Sequence, residues 1–195
     1  MTAAGKNESR YTELPAPTEP VHRYTDIAFP PYRYVPRLHP HPLSVEGYLS
    51  QHRPKYKNFG EQFCYGVDLH NQLYFWEAHE VWEELWKDAT FGEKEKNREL
   101  SRFLQACIVL SASHFTAHVG RIAIAQEMLR KSEQWFTDKQ VETQTITMSD
   151  EMGFVLDIVR LQEDIQCLAE NLANCTMDGI ATIRVQIKML PVNRK

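Results

Sequence analysis

No run of about 18 apolar residues occurs anywhere in this 195-residue chain, so no membrane-spanning helix is expected. The first residues, Met1 to Glu8, are polar and lack the apolar core of a secretory signal, which leads to the expectation of a cytoplasmic protein. Cysteine is scarce. The four residues Cys64, Cys107, Cys167 and Cys175 show no C-x-x-C spacing, which speaks against a zinc site built on them. They are expected to be thiols that fill the core as small hydrophobes. Proline is nearly absent after residue 54, where nine of the ten have already passed, so long helices meet no breaker beyond that point. The body also lacks positive charge. Residues 59–195 carry fourteen Lys/Arg against twenty-one Asp/Glu, a balance of −7, which makes a poor partner for a phosphate backbone. No nucleic-acid partner is expected. Residues 1–58 carry eight against five, a balance of +3. A basic extension on an acidic body is expected to lie back on it, within one chain or on a neighbouring subunit.

What is present divides the chain into a proline- and tyrosine-rich extension at 1–58, a helical body at 59–175 and a tail at 176–195. Residues 1–25 read as loosely ordered. Residues 26–43 are too rich in Phe29, Tyr32, Tyr34 and Val35 for a plain linker, so an extended strap packed on the body is expected; the plainer reading is a sticky disordered tail. A short helix opened by Ser44 and ended by Pro54, and another from Gly60 to His70 followed by a turn at Asn71-Gln72, come next. Apolar spacing predicts helices from Tyr74 to about Asp88 with Gly92 as C-cap, from about Glu93 to His118, and from Arg121 to Phe136. A polar loop at 137–149 leads to a last helix from about Asp150 to Leu172, whose Phe154, Ile158, Leu161, Ile165, Leu168 and Leu172 repeat at 4, 3, 4, 3, 4. In the tail, Ile183, Val185, Ile187 and Met189 alternate with polar residues, as in a half-buried strand. Such a strand needs a partner, and Thr143–Met148, the strap or a second copy of the chain are the candidates. The fold class is therefore all-α: a compact multi-helix bundle with an N-terminal strap and a short C-terminal strand.

The densest chemistry lies between Tyr74 and Trp86, where three tryptophans, four glutamates and one histidine share thirteen positions. An α-helix turns about 100° per residue. With Phe75 at zero, Trp82 and Trp86 fall within roughly 20° of it, His79 near 40° and Glu83 near 80°. Glu80 falls near 140°, and Glu77 and Glu84 near 200° and 180°, expected in solvent. An i, i+4 His79/Glu83 pair can hold one ion or one hydrogen bond. The plainer reading is a buried histidine held by a glutamate. His79-Glu80-Val81-Trp82-Glu83 is a near miss to H-E-x-x-H, but it lacks the second histidine that a metalloprotease needs.

His114 and His118 form a second i, i+4 pair. Counting back from a turn at Gly92 places Gln105 opposite His79 and sets His114 roughly 13 Å further along. Gln105 is then the expected hydrogen-bonding neighbour of the His79/Glu83 site, and His114/His118 a separate feature at the helix end. His39 and His41 of the strap are further candidate ligands, or plain turn residues.

The stretch from Tyr74 to Trp86, with Phe103-Leu104-Gln105-Ala106-Cys107-Ile108, resembles the bacterial and archaeal family catalogued as domain of unknown function 309. Its signature His-x-x-x-Glu-x-x-Trp is matched by His79, Glu83 and Trp86, and the resemblance covers about Gly66 to Phe136. Where the family usually reads Leu-Gln-Gly this chain reads Leu104-Gln105-Ala106, one methyl more at a close helix approach. The resemblance implies a small helical bundle, a divalent metal ion on the histidine and glutamate, and no established activity. Two readings stand side by side: a metal- or small-ligand site at His79 and Glu83 walled by Trp82 and Trp86, and a non-enzymatic homodimeric interaction module in which the pair is a clamp. A binder of small organic cations or aromatic ligands in a tryptophan-lined pocket is a third. No catalytic residue is assigned.

Overall fold

A computed structural model describes residues 12–14, 16–17, 21–91, 97–137, 154–174 and 185–191. Gly92, most of the polar loop, the pairing segment Thr143–Met148 and Cys175 lie outside them. The elements are α1 (Tyr48–Gln51), α2 (Phe59–Asn71), α3 (Phe75–Phe91), α4 (Arg98–His118), α5 (Ile122–Phe136), β1 (Phe154–Leu156), α6 (Ile158–Asn171) with a closing 3-10 turn, and β2 (Met189–Pro191). The fold is mostly helical, as expected. Asn58, Asn97 and Asp157 start α2, α4 and α6 by accepting a backbone N–H three residues on, which satisfies a donor that the first turn leaves open.

The core runs α2 on α3 on α4 on α5 on α6. A ladder of aromatic rings crosses it: Trp82 on Phe63 at 6.0 Å, Phe63 on Phe103 at 5.5 Å, Phe103 on Phe136 at 6.1 Å. All four side chains are buried, each contributing roughly 1.5–3 kcal/mol by leaving water. Gly66 lets Trp82 sit against α2, since a Cβ there would lie 2.2 Å from the indole nitrogen. Ala106 is fully buried, and its carbonyl accepts from Ser132 of α5.

Several expectations need correction. The last helix begins at Ile158, not Asp150, because Phe154–Leu156 form a strand antiparallel to Met189–Pro191. Period-four spacing from Phe154 to Ile158 suits either state, and the tail strand decides it. Leu161, Ile165, Leu168 and Leu172 of the seam are buried within the chain, where α6 packs on α5, so the seam serves this fold. The short helix is only Tyr48–Gln51 and stops before Pro54. Helix α2 includes Asn71, so the turn falls at Gln72-Leu73 rather than Asn71-Gln72, with Leu73 in the left-handed region at φ 68°. Of the thiols, Cys64 and Cys107 are buried as expected, but Cys167 is exposed.

The tail keeps its alternation. Val185, Ile187 and Met189 are buried, while Lys188 and Leu190 are exposed. Its partners include side chains. Asn71 of α2 donates from Nδ2 to Ile187 O at 2.7 Å and accepts from Ile187 N–H on Oδ1 at 2.8 Å. His114 Nε2 accepts from Val185 N–H at 3.0 Å, and His70 Nε2 donates to Val185 O at 2.9 Å. Those bonds fix the tautomers. His114 carries its proton on Nδ1 and gives it to Leu110 O, while His70 Nδ1 accepts from Ser111.

The strap lies on α2 and α3. Asp68, fully buried, accepts from Tyr24 N–H, Thr25 N–H and the Thr25 hydroxyl. Phe29 stacks on Tyr74 at 5.3 Å, Tyr65 donates to Ala28 O, and Val35 is fully buried.

Candidate functional site

The buried residues of α3 are Phe75, Glu77, Ala78, Val81, Trp82 and Leu85. With Phe75 at zero they occupy an arc from about 200° round to 360°, centred near Ala78 and Leu85. Phe75 marks one edge of that arc rather than its middle. His79 and Glu83 therefore sit just outside it, and Glu77 sits just inside the opposite edge.

His79 is accordingly half-exposed, with its side chain 29% accessible, and Nδ1 lies 3.5 Å from Glu80 Oε1. Ligand atoms of His79, Glu80 and Glu83 all fall within 4.8 Å of one another. Donors on one divalent ion at about 2.1 Å sit roughly 3–4 Å apart, so small side-chain rotations bring these three onto one ion. Glu80, which its helical angle near 140° turns away from the aromatic face, is thus the nearest acid to the histidine. Glu83 is also paired with Lys87 at 3.3 Å, an exposed i, i+4 contact worth under about 0.5 kcal/mol.

The other expected neighbours are distributed differently. Trp82 lies in the core, its N–H donating to Phe63 O. Trp86 is partly buried against Phe91, and its buried Nε1 has no hydrogen-bond partner. Phe75 meets His114 at 4.9 Å and Thr90 bonds Ser101 at 2.9 Å. These two contacts set the α3–α4 register, and one turn in from the second pair Gln105 stands level with Trp86. No hydrogen bond joins Gln105 to His79 or Glu83 among the described residues. His114 stands near the level of Phe75, closer along the axis than the count from Gly92 gives, because the connection extends to Asn97. It points into the core, with both nitrogens committed to backbone. Burial pushes its pKa down to about 4. His118 is buried too, its Nε2 donating to Thr12 O. His39 accepts from Val35 N–H and pairs with Glu13, and His41 packs between Tyr34 and Trp76.

Glu77 is the residue that helical angle alone misplaced. It is 4% exposed instead of solvated. Two covering groups do this: Tyr34 N–H of the strap donates to its Oε1 at 2.8 Å, and the Tyr48 hydroxyl of α1 donates to the same oxygen at 3.3 Å. Its Oε2 is buried without a partner. Burial outweighs these bonds and raises its pKa to about 7. Glu77 lines a groove of about 460 Å³ between α1 and α3 that Glu80, Glu83 and Glu84 also line, with Tyr48, Tyr56 and Tyr65. A sequence signal existed: a basic, tyrosine-rich extension expected to lie on an acidic body.

Residues 63–128 match the family model described as domain of unknown function (DUF309), about a third of the chain, from within α2 to the middle of α5. No curated protein and no solved structure matches the chain.

Proposed function

We propose that the DUF309 segment of this chain serves as a ligand-binding helical domain that holds one divalent metal ion on His79, Glu80 and Glu83. The observation that carries this reading is the convergence of one imidazole and two carboxylates within 4.8 Å on one partly exposed edge of α3. One nitrogen and two carboxylate oxygens suit zinc, manganese or iron and leave coordination positions for water or a ligand. Glu80 and Glu83 also line the groove, so an ion there faces a space large enough for a small molecule. Trp86, with its unpartnered indole N–H, borders the Glu83 side one turn on. A metal-assisted hydrolase or a redox enzyme would use such an open site, and no catalytic group beyond the ion is assigned.

The clamp reading makes the opposite demand. His79 and Glu80 are 29% and 28% exposed, and truncating exposed partners costs less than about 1 kcal/mol. Untagged protein dialysed against trace zinc or manganese is expected to retain one ion per chain by elemental analysis. His79→Ala is expected to lose it with little change in melting temperature. Wild-type protein that retains no metal would sink the proposal, and a large drop in melting temperature for a metal-free His79→Ala would establish the clamp.

A further inference from the structure

A buried carboxylate oxygen with no hydrogen-bond donor is costly, and proteins seldom keep one without a use. Glu77 keeps one. Its Oε1 takes two donors while Oε2, equally buried, takes none. The cation whose charge reaches it, Arg33, is turned elsewhere: Nε donates to Gln72 O and the guanidinium lies over the Tyr74 ring. A donor from outside the protein can supply the missing bond, and the groove that Glu77 lines is the space next to it.

The walls of that groove state the chemistry of the donor. Glu77, Glu80, Glu83, Glu84 and Asp88 line it against only Arg53 and Lys87, which favours a cation and repels an anion. One available oxygen at Glu77 is too few for a zinc-type ion, which takes three or more protein ligands, but it suits one N–H of an ammonium. Leucines 43, 49 and 69 and Val81 offer apolar contact, and the rings of Tyr48, Tyr56 and Tyr65 offer faces to a positive charge. A volume of about 460 Å³ lies in the range of small-molecule sites. We propose that the groove between α1 and α3 binds a small organic cation, a primary ammonium that donates to Glu77 Oε2 and carries an apolar or aromatic body. This site shares Glu80 and Glu83 with the proposed metal site, but takes its hydrogen bond from Glu77. It moves the aromatic lining of a cation site from tryptophan, as the sequence suggested, to tyrosine. It also places half of the pocket on α1 and the residues around it, outside the segment that matches the family.

The test uses the full chain at one pH, with phenethylammonium chloride as probe and 2-phenylethanol as its uncharged counterpart, by calorimetric titration. Wild type is expected to bind the ammonium at least about tenfold more tightly than the alcohol, a charged-pair preference of about 1.4 kcal/mol. Glu77→Gln keeps size and shape and is expected to lose that preference. Leu49→Trp, which fills the groove without touching Glu77, is expected to block both probes, and it answers the question if Glu77→Gln folds poorly. With both proteins freed of metal by chelation, so that Glu80 and Glu83 carry the same charge in each, His79→Ala is expected to bind the ammonium as wild type does. Failure of wild type to bind, equal binding of the two probes, or undiminished binding in both Glu77→Gln and Leu49→Trp overturns the proposal. Loss in His79→Ala but not in Glu77→Gln also overturns it, because the cation would then sit on the His79/Glu80/Glu83 edge.

Discussion

Asn71 holds one backbone unit of the tail by both ends, accepting from Ile187 N–H and donating to Ile187 O. A carboxamide is the side chain that can do both at once in a neutral site, because it carries an acceptor and a donor in one plane. Aspartate would lack the donor, and leucine would lack both. Removing the amide strands two buried backbone groups, at roughly 1–3 kcal/mol each. Asn71→Leu is therefore expected to lose about 2–4 kcal/mol in urea denaturation despite conserving volume. A loss below about 1 kcal/mol would mean that water reaches Ile187 and that the amide is dispensable.

At the scale of the element, the strap is held by polar anchors as much as by its rings. Asp68 gathers three donors from Tyr24 and Thr25, and burial raises its pKa against those same bonds. Asp68→Asn turns one accepting oxygen into an NH₂ group facing backbone N–H donors. The Tyr24 and Thr25 amides are expected to exchange with deuterium much faster in this variant, while the α4 amides keep their protection; unchanged exchange at residue 25 would show that the rings alone hold the strap. The strap also explains what could and could not be read from the sequence. Apolar periodicity gave α2 to α5 and the helical part of α6, since each buries one stripe against a neighbour. It placed His79 and Glu83 on one edge of α3. It could not place Glu77, because that residue is buried by Tyr34 and Tyr48, groups some thirty to forty positions away on extended or short segments that carry no period. The α3–α4 register slipped for a related reason: the count assumed a tight turn at Gly92, while Asn97 caps α4. The start of α6 was lost to a strand that only its distant tail partner reveals.

For the molecule as a whole, buried ionisable groups set the response to pH. His114 is held neutral, its pKa pushed down to about 4 from 6.5. The unfolded chain thus takes up a proton before the folded one does. The stability His114 contributes is present above pH 6.5 and is lost as pH falls toward 4, about 3 kcal/mol over that window. Burial lowers the pKa of His118 as well, so its contribution has the same sign. Glu77 has the opposite sign: its raised pKa makes stability fall as pH rises from 4.5 to about 7. The two slopes overlap, so the wild-type curve alone hides both. Subtracting the stability curve of His114→Gln from that of wild type isolates the histidine. The difference is expected to shift against wild type by about 3 kcal/mol between pH 7 and pH 4. A flat difference would place the imidazole in contact with water.

The bonds to Val185 and Ile187 also impose an order of assembly. A helix closes its hydrogen bonds between neighbours in sequence, whereas His114 is 71 positions from Val185 and Asn71 is 116 from Ile187. Contacts of that span are entropically slow to close and gain nothing until both ends are positioned. Here one end is not a strand waiting with an open edge but side chains of two different helices. They line up only after α2 and α4 have docked through α3. The tail thus acts as a check on finished packing, since it can latch only onto a bundle that is already correct.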